Sequence, residues 1–241
     1  MLPLFRSDQV RQPTLKLVGD DGKHAAAALR LRVGELVQFT NGVGVTAIGK
    51  VVSTNNKNEV EFTLSDLTET VKPTPSITVA QAITKGDGAL QAVELLVEVG
   101  VDRIIPWAAS RSVVRWDAEK QTSAPRKWQA VADAAAKQSR RVWFPEVTSM
   151  AGSVPEVLSY AQHSQIIVCD ENADSGFTTP LNEQVLLIIG PEGSITPEEL
   201  QEFKQAGASL VRMGETILRS RHAGIAAVAA LLAQTSRWGA K

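Results

Sequence analysis

The last two-thirds of the chain alternates short aliphatic runs with segments of helical pattern, and this feature most limits its fold. Residues 166–169 and 185–189 are apolar throughout, as strands buried on both faces of a parallel sheet are. Strands that alternate with helices in this way form an α/β structure. The predicted strands are 77–83, 103–106, 165–169, 185–189 and 210–213, and the predicted helices are 88–99, 125–139, 197–206 and 223–235.

The first seventy residues have a different pattern, in which short β-rich segments are separated by turns. The strand-like segments are 36–39, 45–52 and 60–64. The pairs Asn41-Gly42 and Asn55-Asn56 are typical of turns between strands, so the spacing predicts a small antiparallel barrel.

Two further features complete the N-terminal part. The alanine-rich stretch 24–32 predicts a helix that closes at Gly34. Residues 68–76 contain two prolines with threonine and serine, which favours an extended connector. The sequence therefore predicts a domain boundary in this connector.

Composition narrows the class of protein. No apolar run reaches the about 20 residues that a membrane-spanning helix needs, and the N-terminus lacks the apolar segment of a signal peptide. The single cysteine, Cys169, predicts an inert, strand-end thiol and excludes an internal disulfide. We therefore expect a cytoplasmic location. The three histidines are too scattered for a metal motif, and the glycine fingerprints of dinucleotide-binding proteins and P-loop NTPases are absent.

Positive charge is concentrated in one tract. The formal net charge is only −1, but residues 103–141 contain nine Lys or Arg and three acids. Such a tract indicates either an anion-binding face or a solvated helix surface, and charge alone does not decide between them. Trp116, Trp128 and Trp143 lie among the bases, where they could stack on nucleic-acid bases or belong to the core.

The segment LLIIGPEGSITPEEL, residues 186–200, leaves a predicted strand through an unusual loop. Gly190 and Gly193 let a ligand approach the main chain, and Pro191 stiffens the step between them. Thr196, Pro197 and Glu199 form the pattern of a capping box. Glu192 precedes the cap, so no helix rule explains it, and a tight turn or a functional role fits it equally.

The segment SLVRMGETILRSRHAG, residues 209–224, makes a second such loop. The carboxyl ends of strands are where open α/β sheets bind ligands, so two such loops predict one composite pocket. Ile217 and Leu218 are apolar residues in a loop and are expected to line that pocket beside a flat ring. Arg219 follows at its edge, where it can meet an anion or a carbonyl group.

The two loops, IGPEG at 189–193 and MGETILR at 213–219, resemble the signature loops of the SPOUT methyltransferase superfamily. The resemblance is closer still to its RsmE family, bacterial enzymes that methylate N3 of one uridine in 16S ribosomal RNA. It extends along nearly the whole chain and includes LPLFR at 2–6, residues 24–30, 85–87, 98–101, 111–113, 127–128, 138–141 and Pro145.

The resemblance implies an α/β fold with an N-terminal PUA-like β-barrel over residues 1–70, followed by a SPOUT-type α/β domain over 75–241. That domain would contain a C-terminal deep trefoil knot at about residues 185–235. The family binds S-adenosylmethionine and works as a homodimer, with 16S rRNA or the small ribosomal subunit as its partner and no metal or membrane. The implied cofactor-binding residues are Ile189, Gly190, Pro191, Glu192, Gly193, Met213, Gly214, Ile217, Leu218 and Arg219.

The chemistry of uracil methylation suggests roles for a few of these side chains. N3 must lose its proton as the methyl group arrives, so a proton acceptor or stabilising cations are required. The candidate catalytic residues are Arg219, Glu192 and Arg141, of which Arg141 fits a phosphate contact equally well. The predicted RNA-binding residues are Arg6, His24, Arg30, Arg32, Lys85, Arg111, Arg115, Arg140, Arg141 and Arg221.

The chain departs from the family pattern at two places. Ser194 stands where the family commonly has a second glycine, and Ser220-Arg221-His222 stands where it commonly has Thr-Glu-Thr. The second change removes a carboxylate near the pocket, and Arg221 is expected to bind RNA instead. Two alternatives stay open: a SPOUT methyltransferase for another RNA nucleotide, and a non-catalytic RNA-binding protein that keeps the fold.

Overall fold

A computed structural model describes residues 2–55, 58–177 and 180–238. By its internal contacts the chain forms two compact units. The first unit comprises residues 1–72 and 136–144, and the second comprises 73–135 and 145–241. Asn56, which belongs to a predicted turn pair, lies outside the described residues.

The first unit is built on a five-stranded sheet in the order β1-β3-β4-β5-β2. Strands β1 and β3 are parallel, and the other neighbours are antiparallel. The rings of Phe5, Phe39 and Phe62 pack together in its core, with centroids 5.9 and 5.0 Å apart. The strands are β1 Leu4–Arg6, β2 Thr14–Leu17, β3 Leu36–Thr40, β4 Val45–Asn55 and β5 Glu59–Glu69.

Three predicted strands of this unit are confirmed, but its helix is placed differently. Helix α1 spans Gly19–Lys23 and continues as one π-helical turn, His24–Ala28, so the prediction of a helix over 24–32 is wrong in both bounds. Two aspartates in the first turn of α1 favour the earlier start. Arg30 adopts a left-handed conformation, with φ of 53°, which ends the helical path before Gly34.

The segment 136–144 completes the first unit through main-chain and side-chain hydrogen bonds. The Phe144 N–H donates to the Gly42 carbonyl at 2.8 Å. The Trp143 indole donates to the Thr70 carbonyl at 3.0 Å, so this tryptophan serves the fold. Arg6 lies over the Phe144 ring, 5.1 Å from its centroid.

The second unit contains a six-stranded, fully parallel sheet in the order β11-β9-β10-β6-β7-β8. This confirms the α/β prediction for the second part of the chain. Strands β11, β9 and β10 lie side by side in that order in the sheet, whereas the chain passes through β9, then β10, then β11. The strands are β6 Ser76–Ala82, β7 Arg103–Trp107, β8 Glu146–Val147, β9 Gln165–Cys169, β10 Gln184–Ile189 and β11 Ser209–Val211.

The helices predicted at 88–99 and 197–206 begin where expected, whereas those predicted at 125–139 and 223–235 both begin earlier, and the short helix Val154–Leu158 was not predicted. Helix α3 begins seven residues before Pro125, because the Asp117 carboxylate accepts the Lys120 N–H at 2.9 Å and caps the new N-terminus. Trp128 is buried within it and Trp116 packs edge-on against that ring at 5.7 Å, as core residues do. The helices are α2 Gly88–Val99, α3 Ala118–Gln138, α4 Val154–Leu158, α5 Pro197–Gln205 and α6 Ser220–Leu232.

Close packing against β6 and α2 explains the small residues of α6. A Cβ atom on Gly224 would lie 2.9 Å from Leu96 Cδ2 and 3.2 Å from Gln81 Oε1. Ala227 and Val228 are fully buried. The glycine therefore sets how closely α6 approaches its neighbours.

Candidate active site

A pocket of about 500 Å³ lies at the carboxyl ends of β9, β10 and β11. Its walls are the segments that follow these three adjacent strands. The position matches the general rule for ligand sites in open α/β sheets, and the volume is typical of small-molecule sites. The lining residues are 169–172, 189–192, 194–195, 211–220 and 223.

The first loop leaves β10 at Gly190, where there is no room for a side chain. A Cβ atom there would lie 2.7 Å from Ile195 Cγ1, and Ile195 is itself buried. The Ser220 hydroxyl donates to the Gly190 carbonyl at 2.7 Å and accepts from the Gln81 side-chain amide at 3.0 Å. These bonds tie the loop to the start of α6 and to the end of β6.

Ser194 occupies a conformation that usually belongs to glycine. Its φ is 62°, in the left-handed region that costs other residues about 1–2 kcal/mol. Its hydroxyl donates to the Glu171 carboxylate in the segment after β9. The serine therefore joins two walls of the pocket, which a glycine at this position could not do.

The helix cap after the first loop is present as predicted. Thr196 and Glu199 exchange the two hydrogen bonds of a capping box, at 3.2 and 3.0 Å. The second carboxylate oxygen of Glu199 accepts the Ser110 N–H at 2.8 Å. The backbone N–H of Glu198 and the Thr196 hydroxyl hold the pKa of Glu198 below its usual value. Both glutamates therefore have structural explanations.

The second loop connects β11 to α6 through an open, partly apolar stretch. Gly214 has a φ of 138°, which only glycine adopts readily. Ile217 is 84% exposed and Leu218 is 39% exposed, and both line the pocket. Arg219 stands at the N-cap position of α6, so its position depends on where the helix begins.

The charges of the lining favour a cationic ligand. Four acids and two arginines line the pocket: Asp170, Glu171, Glu192, Glu215, Arg212 and Arg219. A sulfonium or ammonium group would be attracted by this surplus of carboxylates. Burial raises the pKa of the Cys169 thiol to about 12, so this residue is a neutral thiol and no nucleophile at ordinary pH.

The structure brings most of the predicted cofactor-binding residues together. Nine of the ten line the pocket. The exception is Gly193, whose carbonyl accepts from Arg111 Nη1 at 3.4 Å. A Cβ on Gly193 would lie 3.0 Å from both the Cβ and the carbonyl oxygen of Arg111. Of the three candidate catalytic residues, Arg219 and Glu192 line the pocket, whereas Arg141 belongs to the first compact unit.

The predicted RNA-binding residues divide between the two units. Most of them are exposed, including Arg6, which lies over the Phe144 ring, whereas Arg140, Arg141 and Arg221 are partly buried. The first unit carries Arg6, His24, Arg30, Arg32, Arg140 and Arg141, and the second carries Lys85, Arg111, Arg115 and Arg221.

The third wall of the pocket is formed by Asp170, Glu171 and Asn172, which were not among the predicted site residues. Their signal was available, because they follow the predicted strand 165–169 as directly as Gly190 follows its own strand. Polar residues at a strand end are also typical of an ordinary turn. Only the neighbouring positions of β9 and β10 in the sheet show that the two strand ends share a site.

The fold and the site define an RNA methyltransferase. A family model described as an RNA methyltransferase domain matches residues 71–232, and one described as an RNA methyltransferase PUA domain matches residues 17–65. The chain belongs to this family. Within it, the chain belongs to the RsmE group, as the resemblance of the two loops implied.

Curated relatives carry the name ribosomal RNA small subunit methyltransferase E. The protein from Mycobacterium bovis is 34% identical over 230 residues, which cover 92% of this chain and 87% of the relative. The protein from Bacillus subtilis is 25% identical, with coverages of 92% and 91%. Both alignments include both compact units.

Solved structures share the fold over nearly the whole chain. A Legionella pneumophila protein assigned as a methyltransferase, solved with the cofactor SAM bound, is 26% identical with a TM-score of 0.83, covering 97% of this chain and 98% of the other. The Neisseria gonorrhoeae ribosomal RNA small subunit methyltransferase E has a TM-score of 0.88 at 24% identity, covering 99% and 100%. The latter likeness establishes the fold.

Two kinds of feature are absent from the described part of the chain. Within 2–55, 58–177 and 180–238 there is no group of three or more His, Cys, Asp or Glu residues that could hold a metal ion. Over the same ranges, none of the helices combines the length and the apolar character needed to cross a bilayer.

Proposed function

We propose that this protein transfers the methyl group of S-adenosylmethionine to N3 of a specific uridine in small-subunit (16S) ribosomal RNA. The observation that carries the proposal is the pocket at three adjacent parallel strand ends, whose lining combines exposed main chain, aliphatic side chains and surplus carboxylates. The membership of the chain in the RNA methyltransferase family supports the same conclusion. So does the SAM-bound Legionella structure.

The residues present suit the cofactor. Among the described residues, no atom lies within 4 Å of the position that a Cβ on Gly214 would occupy, so main-chain groups beside Gly214 can hydrogen-bond to an adenine edge. Ile189, Ile217 and Leu218 can cover the faces of the ring. When bound there, S-adenosylmethionine supplies an electrophilic methyl group on a positively charged sulfur.

The side chains around the pocket would handle the uracil. As N3 loses its proton, negative charge spreads to O2 and O4, and the Arg219 guanidinium can stabilise that charge. Glu192 is the proposed proton relay. Arg141 is proposed to help stabilise the uracil anion or to contact a phosphate of the RNA. The remaining task is alignment of N3 with the methyl group, a positioning effect that contributes strongly to rate.

The domain organisation of the RsmE group belongs to the proposal. We infer a PUA-like barrel of residues 1–70 that supplies RNA affinity and a methyltransferase domain of residues 75–241 with a trefoil knot at about 185–235. We also infer a homodimer acting in the cytoplasm on 16S rRNA or the small subunit. The half-buried alanines on α6, including Ala226 and Ala229, would suit a close-packed dimer interface.

The test uses labelled S-adenosylmethionine with two substrates, deproteinised 16S rRNA and assembled small subunits, both from a strain without the endogenous enzyme. The RNA is digested afterwards and its nucleosides are identified by mass. We expect 3-methyluridine. Label on another nucleoside would reassign the target within the same superfamily, and RNA binding without any label would indicate a non-catalytic protein. Either result would refute the proposed reaction.

A further inference from the structure

The loop after β6 and the helix that follows it are not explained by the cofactor pocket. Residues 83–87 connect β6 to helix α2, and none of them lines the pocket. Helix α2 has twelve residues, and its N-cap residue Asp87 makes no side-chain capping bond. The first N–H groups of such a helix have no partner within the helix and carry its positive dipole end.

Buried polar atoms without partners point to the same place. Among the residues that the structure describes, the hydroxyl of Thr84, itself only 5% exposed, has no hydrogen-bond partner, and neither does the Nε of Arg221. Both side chains reach the first residue of α2. Thr84 Oγ1 lies 3.5 Å and Arg221 Cδ lies 3.7 Å from the position that a Cβ on Gly88 would occupy.

A buried donor without a partner costs free energy, so it needs an explanation. Here the Thr84 hydroxyl and the Arg221 side chain both lie beside the first residue of helix α2, and an oxygen anion bound there could accept hydrogen bonds from both and from the helix N-terminus. Because Gly88 has no side chain, no Cβ fills the space between it and the Thr84 hydroxyl.

The surrounding charges indicate which anion fits. Lys85 and Asp87 are both exposed on the loop, and Arg221 reaches over from α6. The three side chains sum to a single positive charge, which suits a monoanion better than a dianionic free phosphate. A phosphodiester of an RNA strand is such a monoanion, and basic groups at helix N-termini commonly hold nucleic-acid phosphates.

We propose that Thr84, Arg221 and the N-terminus of helix α2 form a binding site for one backbone phosphate of the RNA substrate. This site would position the substrate of the proposed reaction, and the identification of that substrate as 16S rRNA rests on the proposed function. It would fix the strand beside the cofactor pocket, because Arg221 directly follows Ser220, which lines that pocket. Phosphate contacts of this kind set the register of a bound strand.

Binding of deproteinised 16S rRNA by Thr84→Val and Arg221→Gln tests the site. Thr84→Val should weaken RNA affinity about tenfold, the value of one hydrogen bond to a charged group. Arg221→Gln should weaken it similarly and reduce the slope of log affinity against log salt by about 0.7. Thr84→Ser restores the hydroxyl and should restore binding. Lys204→Gln, which removes an exposed charge from helix α5, is the matched control.

The thermal stability of the Thr84→Val variant distinguishes a role of the hydroxyl in phosphate binding from a role in holding the fold together. Thr84→Val removes a buried hydroxyl that has no partner in the described part of the chain, so the melting temperature of this variant should equal or exceed that of the wild type. A large loss of stability would mean that the hydroxyl serves the fold and would overturn the proposal. So would RNA affinities unchanged from the Lys204→Gln control.

Cofactor titrations distinguish the remaining outcomes. Weaker binding of S-adenosylmethionine with unchanged RNA affinity would assign the anion to the carboxylate of the methyl donor and would overturn the phosphate site. If the wild type produces no 3-methyluridine, the proposed reaction fails by itself. The RNA titrations of the same variants would still decide whether this site holds a phosphate.

Discussion

Gly190→Ala tests the geometry of the first pocket loop directly. The new Cβ would lie 2.7 Å from Ile195 Cγ1, whereas ordinary contacts are 3.4–4 Å, so one of the two must move by at least 0.7 Å. Ile195 is buried and the Gly190 carbonyl is held by the Ser220 hydroxyl, so neither moves freely. Overpacking of this kind costs about 1–3 kcal/mol of stability. A displacement approaching 1 Å in a catalytic site costs about 100-fold in rate.

The assay for Gly190→Ala combines three measurements with one control. We expect S-adenosylmethionine affinity by calorimetry to fall at least about tenfold, methyl transfer to fall about 100-fold, and urea unfolding to show the loss of about 1–3 kcal/mol. Gly176→Ala is the control, because no atom of the described residues lies within 4 Å of its added Cβ. Full cofactor affinity with the expected loss of stability would refute the role of this loop. Unchanged stability would refute the packing argument itself.

Three further predictions concern stability and reactivity. The Arg237 guanidinium donates to the Asp102 carboxylate at 2.8 Å and to two backbone carbonyls at 2.7 Å, and both side chains are largely buried. Arg237→Ala should therefore lower the free energy of unfolding by about 3–5 kcal/mol. A loss below about 1 kcal/mol in urea unfolding, as small as that of a surface substitution, would contradict this. Ser194→Ala keeps the left-handed strain without the bond to Glu171, so it should be about 1 kcal/mol less stable than Ser194→Gly; the reverse order in the same assay would count against it. The folded Cys169 thiol keeps its proton up to about pH 12, whereas an unfolded thiol titrates near about 8.5. Stability should therefore decrease as pH rises above about 8.5, and native protein at pH 8 should resist iodoacetamide unless urea is added.

Helices and strands with a strong periodic pattern of apolar residues were predictable from the sequence. Element bounds that depend on a single capping residue, and very short strands, were not. Helix α2 and strand β9 have the predicted bounds, since continuous apolar patterns leave little choice of structure. Strand β1 was missed because three residues are too short to show a period. The earlier start of α3 depends on a single cap at Asp117.

The pocket was predictable only in part, for a physical reason. Two of its walls contain glycines, which mark loops where the main chain is exposed. The third wall contains ordinary polar residues that a solvated turn would also contain. Which strand ends meet is decided by the sheet order, and β9 lies between β10 and β11 although it precedes both in the chain. Arg237 was equally hidden, because its partner Asp102 lies 135 residues away.

The start of helix α6 connects the cofactor pocket with the proposed phosphate site. Ser220 and Arg221 are consecutive, and they serve different strand ends: the Ser220 hydroxyl holds the Gly190 carbonyl beside β10, and the Arg221 side chain reaches the first residue of α2, beyond β6. The Gln81 amide at the end of β6 also bonds Ser220. Because β6 and β10 are hydrogen-bonded neighbours in register, a shift of α6 would disturb both sites together. The buried face of α6, set by Gly224 against Leu96, therefore positions both the cofactor loop and the proposed phosphate site.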